Sequence, residues 1–340
     1  MTLTKWFPWT SSPVICNGPM LGAATPSLAA EVSKAGGIGF LASIFDLSEG
    51  SAQLQSLDAE LAGTEAGHIG ISFITGDASV TLFAQTALPI IAKHRPAAVW
   101  LFAPAEPARL HGTIIAALRT LDPVPRIFVQ VGNVAAARQA VADGAHVLVC
   151  QGIDAGGHQF RRGAGIVSLV PEVCDMLRNE FANLQVPVLA AGGIVDKRGV
   201  VAAMALGAQG VVMGTRFTVA KESVYPEHRK QLVLQTVDGG TSTLKAPFHD
   251  EIKSSALWGP LYDGRAIIGP VHQKFMSGSS LDECKKMLQE QYSPDEASQM
   301  LSTWAGTGVG LVKQQQPAGE IVIEVREGAK EHMRNVAVLS

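Results

Sequence analysis

The sequence predicts an α/β protein built as a (β/α)8 barrel, a TIM barrel, with a helical extension at its C-terminus. Three observations carry this. Eight short apolar runs recur along the first part of the chain, Ala-rich amphipathic segments separate them, and the eight repeats occupy residues 1–230, close to the ~250 residues such a barrel usually needs. The runs are apolar throughout instead of alternating with polar residues, which is the signature of parallel strands covered on both faces.

In chain order the predicted strands are VIC at 14–16, GIGFLA at 37–42, IGISF at 69–73, AVWLF at 98–102, RIFVQV at 126–131, HVLVC at 146–150, PVLAA at 187–191 and GVVMG at 210–214. Between them, SLAAEVSKAG, VTLFAQTALPIIAKH, VAAARQAVADGA and KRGVVAAMALGA carry apolar residues at helical spacing. Such segments pack on the outside of a sheet. The alternative, an open doubly wound sheet, accounts less well for eight repeats. Residues 231–340 then read as an additional segment: a Gly/Thr/Pro-bearing stretch followed by helices near 281–290, 294–304 and 317–333. No linker composition separates it, so it is expected to fold back over the barrel and close the substrate site.

Composition narrows the function. With 27 basic and 30 acidic residues, a net charge of −3 and no long run of either sign, the chain offers no footprint for nucleic acid or an anionic membrane. A small ligand is the better expectation. The four cysteines are scattered, without CxxC spacing or disulfide density, which points to a reducing, cytoplasmic setting. The N-terminus, MTLTKWFPWTSSP, lacks the apolar core of a signal peptide. The most apolar region, 186–219, is broken by Asp196, Lys197, Arg198 and several glycines, which argues against a membrane span. A homodimer is compatible with all of this.

In this fold the chemistry sits just after each strand. The residues found there are Asn17, Gly18, Pro19 and Met20; Thr75; Gln130; Gly156, Gly157 and His158; Gly192 and Gly193; and Gly214 and Thr215. Glycine loops after the seventh and eighth runs let backbone N–H groups approach a ligand closely, and barrels frequently bind phosphate at that place. Each glycine pair alone reads equally as a tight turn; two at this pair of strands point to a phosphate cradle. The GTGVG stretch at 306–310 follows a helical segment and not a strand, so it is no Rossmann fingerprint.

His158 is the candidate catalytic residue, because Gly156 and Gly157 let the chain turn an imidazole over the barrel mouth and histidine titrates near neutral pH. Taken at random, a histidine is more often a surface or core-edge residue. A metal site is not expected, since no second ligand stands at ligand spacing. Asp154 either orients the imidazole or caps the local turn. Ser72, Gln130 and Gln151 are neutral polar groups at strand ends, suited to amide-like ligand edges. Phe160 and Trp304 read either as core or as aromatics narrowing an apolar mouth.

These residues resemble the flavin-dependent nitronate monooxygenases, within a wider group of FMN-binding barrels that includes an enoyl reductase and NADH:quinone reductases. The resemblance lies in GPMLGAATPSLAAEVSKAGGIGFLAS, GIDAGGHQ, PVLAAGGIVDKRGVVAAMALGAQGVVMGTRF and WAGTGVGL, and spans Asn17 to about Leu311. It implies FMN with its phosphate at Gly192, Gly193, Gly214 and Thr215, its ring near Pro19 and Met20, Gln130 at its pyrimidine edge, and His158 as the catalytic histidine. Leu21, Ser72, Gln151, Gly156, Gly157, Ala191 and Met213 complete the expected cofactor-binding set. The family commonly has Asn at the position of Ser72 and often Gly at that of Phe160. The implied reaction oxidises an alkyl nitronate, or a nitroalkane, with O2 to a carbonyl compound and nitrite. The alternatives are an FMN-dependent NAD(P)H:quinone or enoyl reductase, and a barrel recruited for non-redox chemistry.

Overall fold

The computed structural model describes residues 2–106 and 108–337. Eight parallel strands form the barrel: β1 (Val14–Asn17), β2 (Gly39–Phe40), β3 (Ile69–Ile74), β4 (Ala98–Phe102), β5 (Arg126–Val131), β6 (Val147–Gln151), β8 (Val188–Ala191) and β9 (Gly210–Met213). Each expected apolar run supplies one of them. Neighbours pair in parallel from β2 through β6 to β8 and β9, and β9 returns to β1 with Val14 opposite Gly210. A parallel bridge between Cys16 and Ile38 joins β1 to β2, with Ile38 N–H donating to Ile15 O at 3.0 Å. The ring is closed.

Alternate residues of each strand face different cores, which explains why the runs look uniformly apolar. Val14, Cys16, Phe40, Trp100, Phe128, Val149, Leu189 and Val212 fill the barrel interior. Ile15, Phe73, Val99, Leu101, Val129, Leu148, Ala190 and Val211 meet the outer helices. Phe40 packs edge-on against Trp100 and Phe128, at centroid distances of 5.1 and 5.3 Å, a favoured aromatic geometry. A short helix, Thr2–Trp6, covers the N-terminal end of the barrel, with Leu3 and Phe7 buried in the interior cluster.

Three features depart from the sequence reading. First, the loop after β6 returns as a strand, β7 (Gly157–Phe160), which pairs antiparallel with β11 (Tyr262–Ile267). With β10 (Thr243–Ala246) and β12 (Thr303–Trp304), it makes a four-stranded antiparallel sheet above the barrel. Second, residues 303–304 are strand, so the helix expected over 294–304 is only Pro294–Met300. Third, the C-terminal helix Ala318–Ala337 packs against helices Pro26–Lys34 and Lys197–Ala205. It buries Ala318, Ile321, Val322, Val325 and Ala329 in the strand–helix core, the place of an eighth outer helix. The barrel therefore does not end at residue 230: the added segment is an insertion between β9 and the helix that completes the ring. Among the described residues, no helix is long and apolar enough to cross a membrane.

Candidate active site

A cavity of about 430 Å³ opens at the C-terminal ends of the strands, within the range of small-ligand and cofactor sites. Of the residues singled out from the sequence, Pro19, Met20, Leu21, Gln130, Gln151, Gly156, Gly157, His158, Ala191, Gly192, Gly193, Gly214 and Thr215 all line it. Ser72 and Met213 do not. Ser72 is buried and shares a 2.8 Å hydrogen bond with Ser43 Oγ, and Ser43 is the residue that lines the cavity. Met213 points outward into the strand–helix core, because its neighbour Val212 takes the inward position. Thr75 is also buried, bonded to Phe102 O and His111 Nε2.

One end of the cavity is glycine. Gly192 and Gly193 hold φ of +102° and +73°, values an L-side chain rarely adopts. A Cβ at Gly214 would meet only Met20 Sδ, at 3.8 Å, so a larger side chain there would occupy the cavity itself. The GTGVG stretch forms the adjoining wall. A Cβ at Gly306 would lie 2.5 Å from Asp154 O, and one at Gly308 2.7 Å from Gly193 O, so this loop packs backbone to backbone on the loops after β6 and β8. Thr307 N–H donates to Asp154 O and its hydroxyl to Asp154 Oδ1, while Gly306 N–H donates to Thr215 Oγ1. Asp154 thus holds a neighbouring loop and does not orient the imidazole.

Across the cavity runs a chain of amides. Trp100 Nε1–H donates to Gln130 Oε1 at 3.2 Å, Gln130 Nε2 to Gln151 Oε1 at 2.7 Å, and Gln151 Nε2 to His158 O at 3.1 Å. Each donor fixes the next acceptor, so both glutamines present defined edges.

His158 lies on β7 opposite Gly264. Its ring stacks on Trp258 at 3.6 Å and 9°, and lies 4.8 Å from the Trp304 centroid. Its Nε2 is 2.8 Å from Asp250 Oδ1. An ionised carboxylate only accepts, so this contact makes Nε2 the protonated nitrogen and leaves the lone pair on Nδ1. Burial lowers the pKa of His158, and the Asp250 hydrogen bond partly offsets this.

Asp250 is carried by the one-turn helix Phe248–Glu251. Phe248 stacks on Phe275 at 4.2 Å, and His249 is fully buried. Gly269 N–H donates to His272 Nδ1 at 3.0 Å, His272 Nε2 contacts His249 Nδ1 at 3.2 Å, and His249 Nε2 contacts Leu244 O at 2.8 Å. That sequence of donors and acceptors is satisfied with both rings neutral, and burial pulls each pKa down to about 4. With Phe248, His249 and Ile252 buried, Asp250 and Lys253 line the cavity. Sequence reasoning missed Asp250, Lys253, Tyr225 and Trp258. FHDEIK reads as an ordinary charged amphipathic stretch, and its only available signal was proximity to an apolar anchor.

Phe160, which the sequence left as either core or mouth, takes the packing role, against Tyr262 and Phe102 with centroids at 5.1 and 6.4 Å. Trp304 does line the cavity, together with Phe45 and Leu257. Among the described residues, no group of three or more His, Cys, Asp or Glu is arranged to hold a metal ion.

Comparison with known proteins bears on what such a site does. The nitronate monooxygenase family profile matches residues 71–328. The chain is 48% identical to a nitronate monooxygenase of Neurospora crassa, over 98% of this chain and 93% of that one. It is 35% identical to a nitronate monooxygenase of Metarhizium robertsii, over 98% and 96%. Among solved structures, FabK from Thermotoga maritima superposes with a TM-score of 0.76 at 22% identity, covering 100% of this chain and 99% of that one, a likeness of fold.

Proposed function

Since the chain belongs to the nitronate monooxygenase family and is an oxidoreductase, we propose that it binds FMN and oxidises alkyl nitronates with O2 to a carbonyl compound and nitrite. The observation that carries this is the His158–Asp250 pair placed in the wall of a glycine-ended, largely apolar cavity at the C-terminal rim of the barrel.

The residues present fit the cofactor. Gly192, Gly193, Gly214 and Thr215 line one end of the cavity, where Gly214 leaves open the space a side chain would take, and barrels commonly bind phosphate at these strands. Pro19, Met20 and Leu21 form an apolar wall for a ring, and the oriented amides of Gln130 and Gln151 suit the polar edge of a pyrimidine. When bound, FMN supplies the one-electron redox chemistry and the reaction with oxygen that no side chain here provides.

The protein's share is orientation and the proton. His158 is held neutral by burial, with Nε2–H donated to Asp250. Nδ1 then carries the lone pair that takes the α-proton of a neutral nitroalkane, and once protonated it donates a hydrogen bond to the anion so formed. Asp250 stabilises the imidazolium that results. Trp258 fixes the ring plane by stacking, and the apolar walls exclude water from the reacting carbon.

The visible spectrum of the purified protein, followed by nitrite release from ethyl nitronate under air, tests this reading. A yellow protein producing nitrite is expected. A colourless protein that takes up no FMN overturns the cofactor assignment. A yellow protein that releases no nitrite but oxidises NADH in the presence of a quinone overturns the reaction.

A further inference from the structure

Among the described residues the cavity wall carries one ammonium, that of Lys253, and it has no carboxylate within ion-pair distance, since none of the ion pairs in the described structure includes it. Its Nζ sits 5.0 Å from the centroid of the Trp304 ring, the same ring that flanks His158 at 4.8 Å. Asp250, three residues earlier on the same turn, is already engaged by His158. Lys253 is exposed at the cavity mouth and feels the Asp250 charge without pairing with it, so its ammonium, set against an aromatic wall beside a base, can meet an anion that enters the cavity.

We propose that Lys253 is the substrate-binding residue for the anionic nitro oxygens. This rests on the nitronate reading above. In a nitroalkane, His158 Nδ1 takes the α-proton, the C–H electron pair becomes the C=N bond, and the displaced N–O π pair comes to rest on a nitro oxygen. Lys253 faces the charge so formed, while Asp250 faces the imidazolium. The two new charges each meet a residue of opposite sign from the same turn of chain, Asp250 and Lys253 at i and i+3. For a preformed nitronate the first step is already done, and Lys253 acts on binding alone.

Alternatively, Lys253 serves only to pack on Trp304, and charge at the ligand is irrelevant. The experiment separates the two by ligand charge. Lys253→Met keeps the aliphatic stem and removes the ammonium; Lys253→Arg keeps the charge. In holoenzyme, Lys253→Met should raise KM for ethyl nitronate at least about tenfold, the scale of one lost charge-assisted contact, while KM for neutral nitroethane changes little. Calorimetric titration with propionate, a planar anion of the same shape that cannot react, should show the same loss of affinity. Lys253→Arg should restore both.

Equal KM rises for ethyl nitronate and nitroethane would mean a loss of cavity shape, and would overturn the proposal. Propionate binding that is equal in wild type and Lys253→Met, or absent from both, would overturn it as well. If wild-type protein makes no nitrite, the proposed reaction fails, but the propionate comparison still decides whether Lys253 is an anion site.

Discussion

Replacing Asp250 with alanine tests the arrangement on which the proposed chemistry depends. The carboxylate lies 2.8 Å from His158 Nε2, and both side chains are mostly shielded from water, at 11% and 14% exposure. A hydrogen bond to a charged group contributes roughly 1.5–3 kcal/mol. At about 1.4 kcal/mol per decade, losing it costs on the order of 10- to 150-fold. Without Asp250 the imidazole can also take the other tautomer, with Nδ1 protonated and unable to accept. The assay is nitrite release from nitroethane and from ethyl nitronate across pH, with thermal melting as the folding control. Turnover of nitroethane should fall within that range, and that of the nitronate less, since its proton is already gone. The pH profile carries a second, independent sign. His158 must be neutral to act, Asp250 raises its pKa, and removing Asp250 lowers it further, so the acid limb should move to lower pH. Asp250→Asn, whose carbonyl can still accept from Nε2–H, should lie between alanine and wild type. Wild-type nitroethane turnover in Asp250→Ala, with an unmoved acid limb, would refute the assignment of the pair.

Gly214→Leu should fold but lose FMN, because its side chain has only Met20 nearby and must enter the cavity; absorbance of the purified variant reads this directly. Phe160→Ala should destabilise the protein by up to about 3 kcal/mol without altering the preferred nitronate chain length, whereas Leu257→Ala, in the cavity wall, should shift that preference toward longer chains. Acid should destabilise the fold through the buried His249–His272 pair. Their folded pKa values of about 4 lie below the ordinary 6.5, so the unfolded chain binds protons first as pH falls. The contribution is complete above pH 6.5 and is lost toward pH 4, on the order of 3 kcal/mol for one such histidine. Urea melts at pH 7 and pH 4.5 should show it.

The barrel was legible in the sequence because its signals are local. Each strand is a short run buried on both faces, each helix an apolar stripe, and both periods are set by backbone geometry within a few residues. The glycine loops and His158 were legible for the same reason, since they follow strands whose ends the runs mark. That same uniform apolarity hid which residues face inward: Ser72 and Met213 stand at strand ends like their neighbours, and only the closed barrel turns one toward Ser43 and the other toward the outer helices. The four-stranded sheet of β7, β10, β11 and β12 was not legible, because β7 is four residues long and acquires its strand character from pairing with a segment about a hundred residues away. Asp250 lies 92 residues from His158, and nothing in FHDEIK distinguishes a partner for an imidazole from a solvated acid. The sequence by itself determined which strand ends would gather at one rim and which histidine would stand there; the tertiary structure decided which carboxylate and which ammonium surround that histidine, because electrostatic partners are chosen by distance in space and leave no periodic trace along the chain.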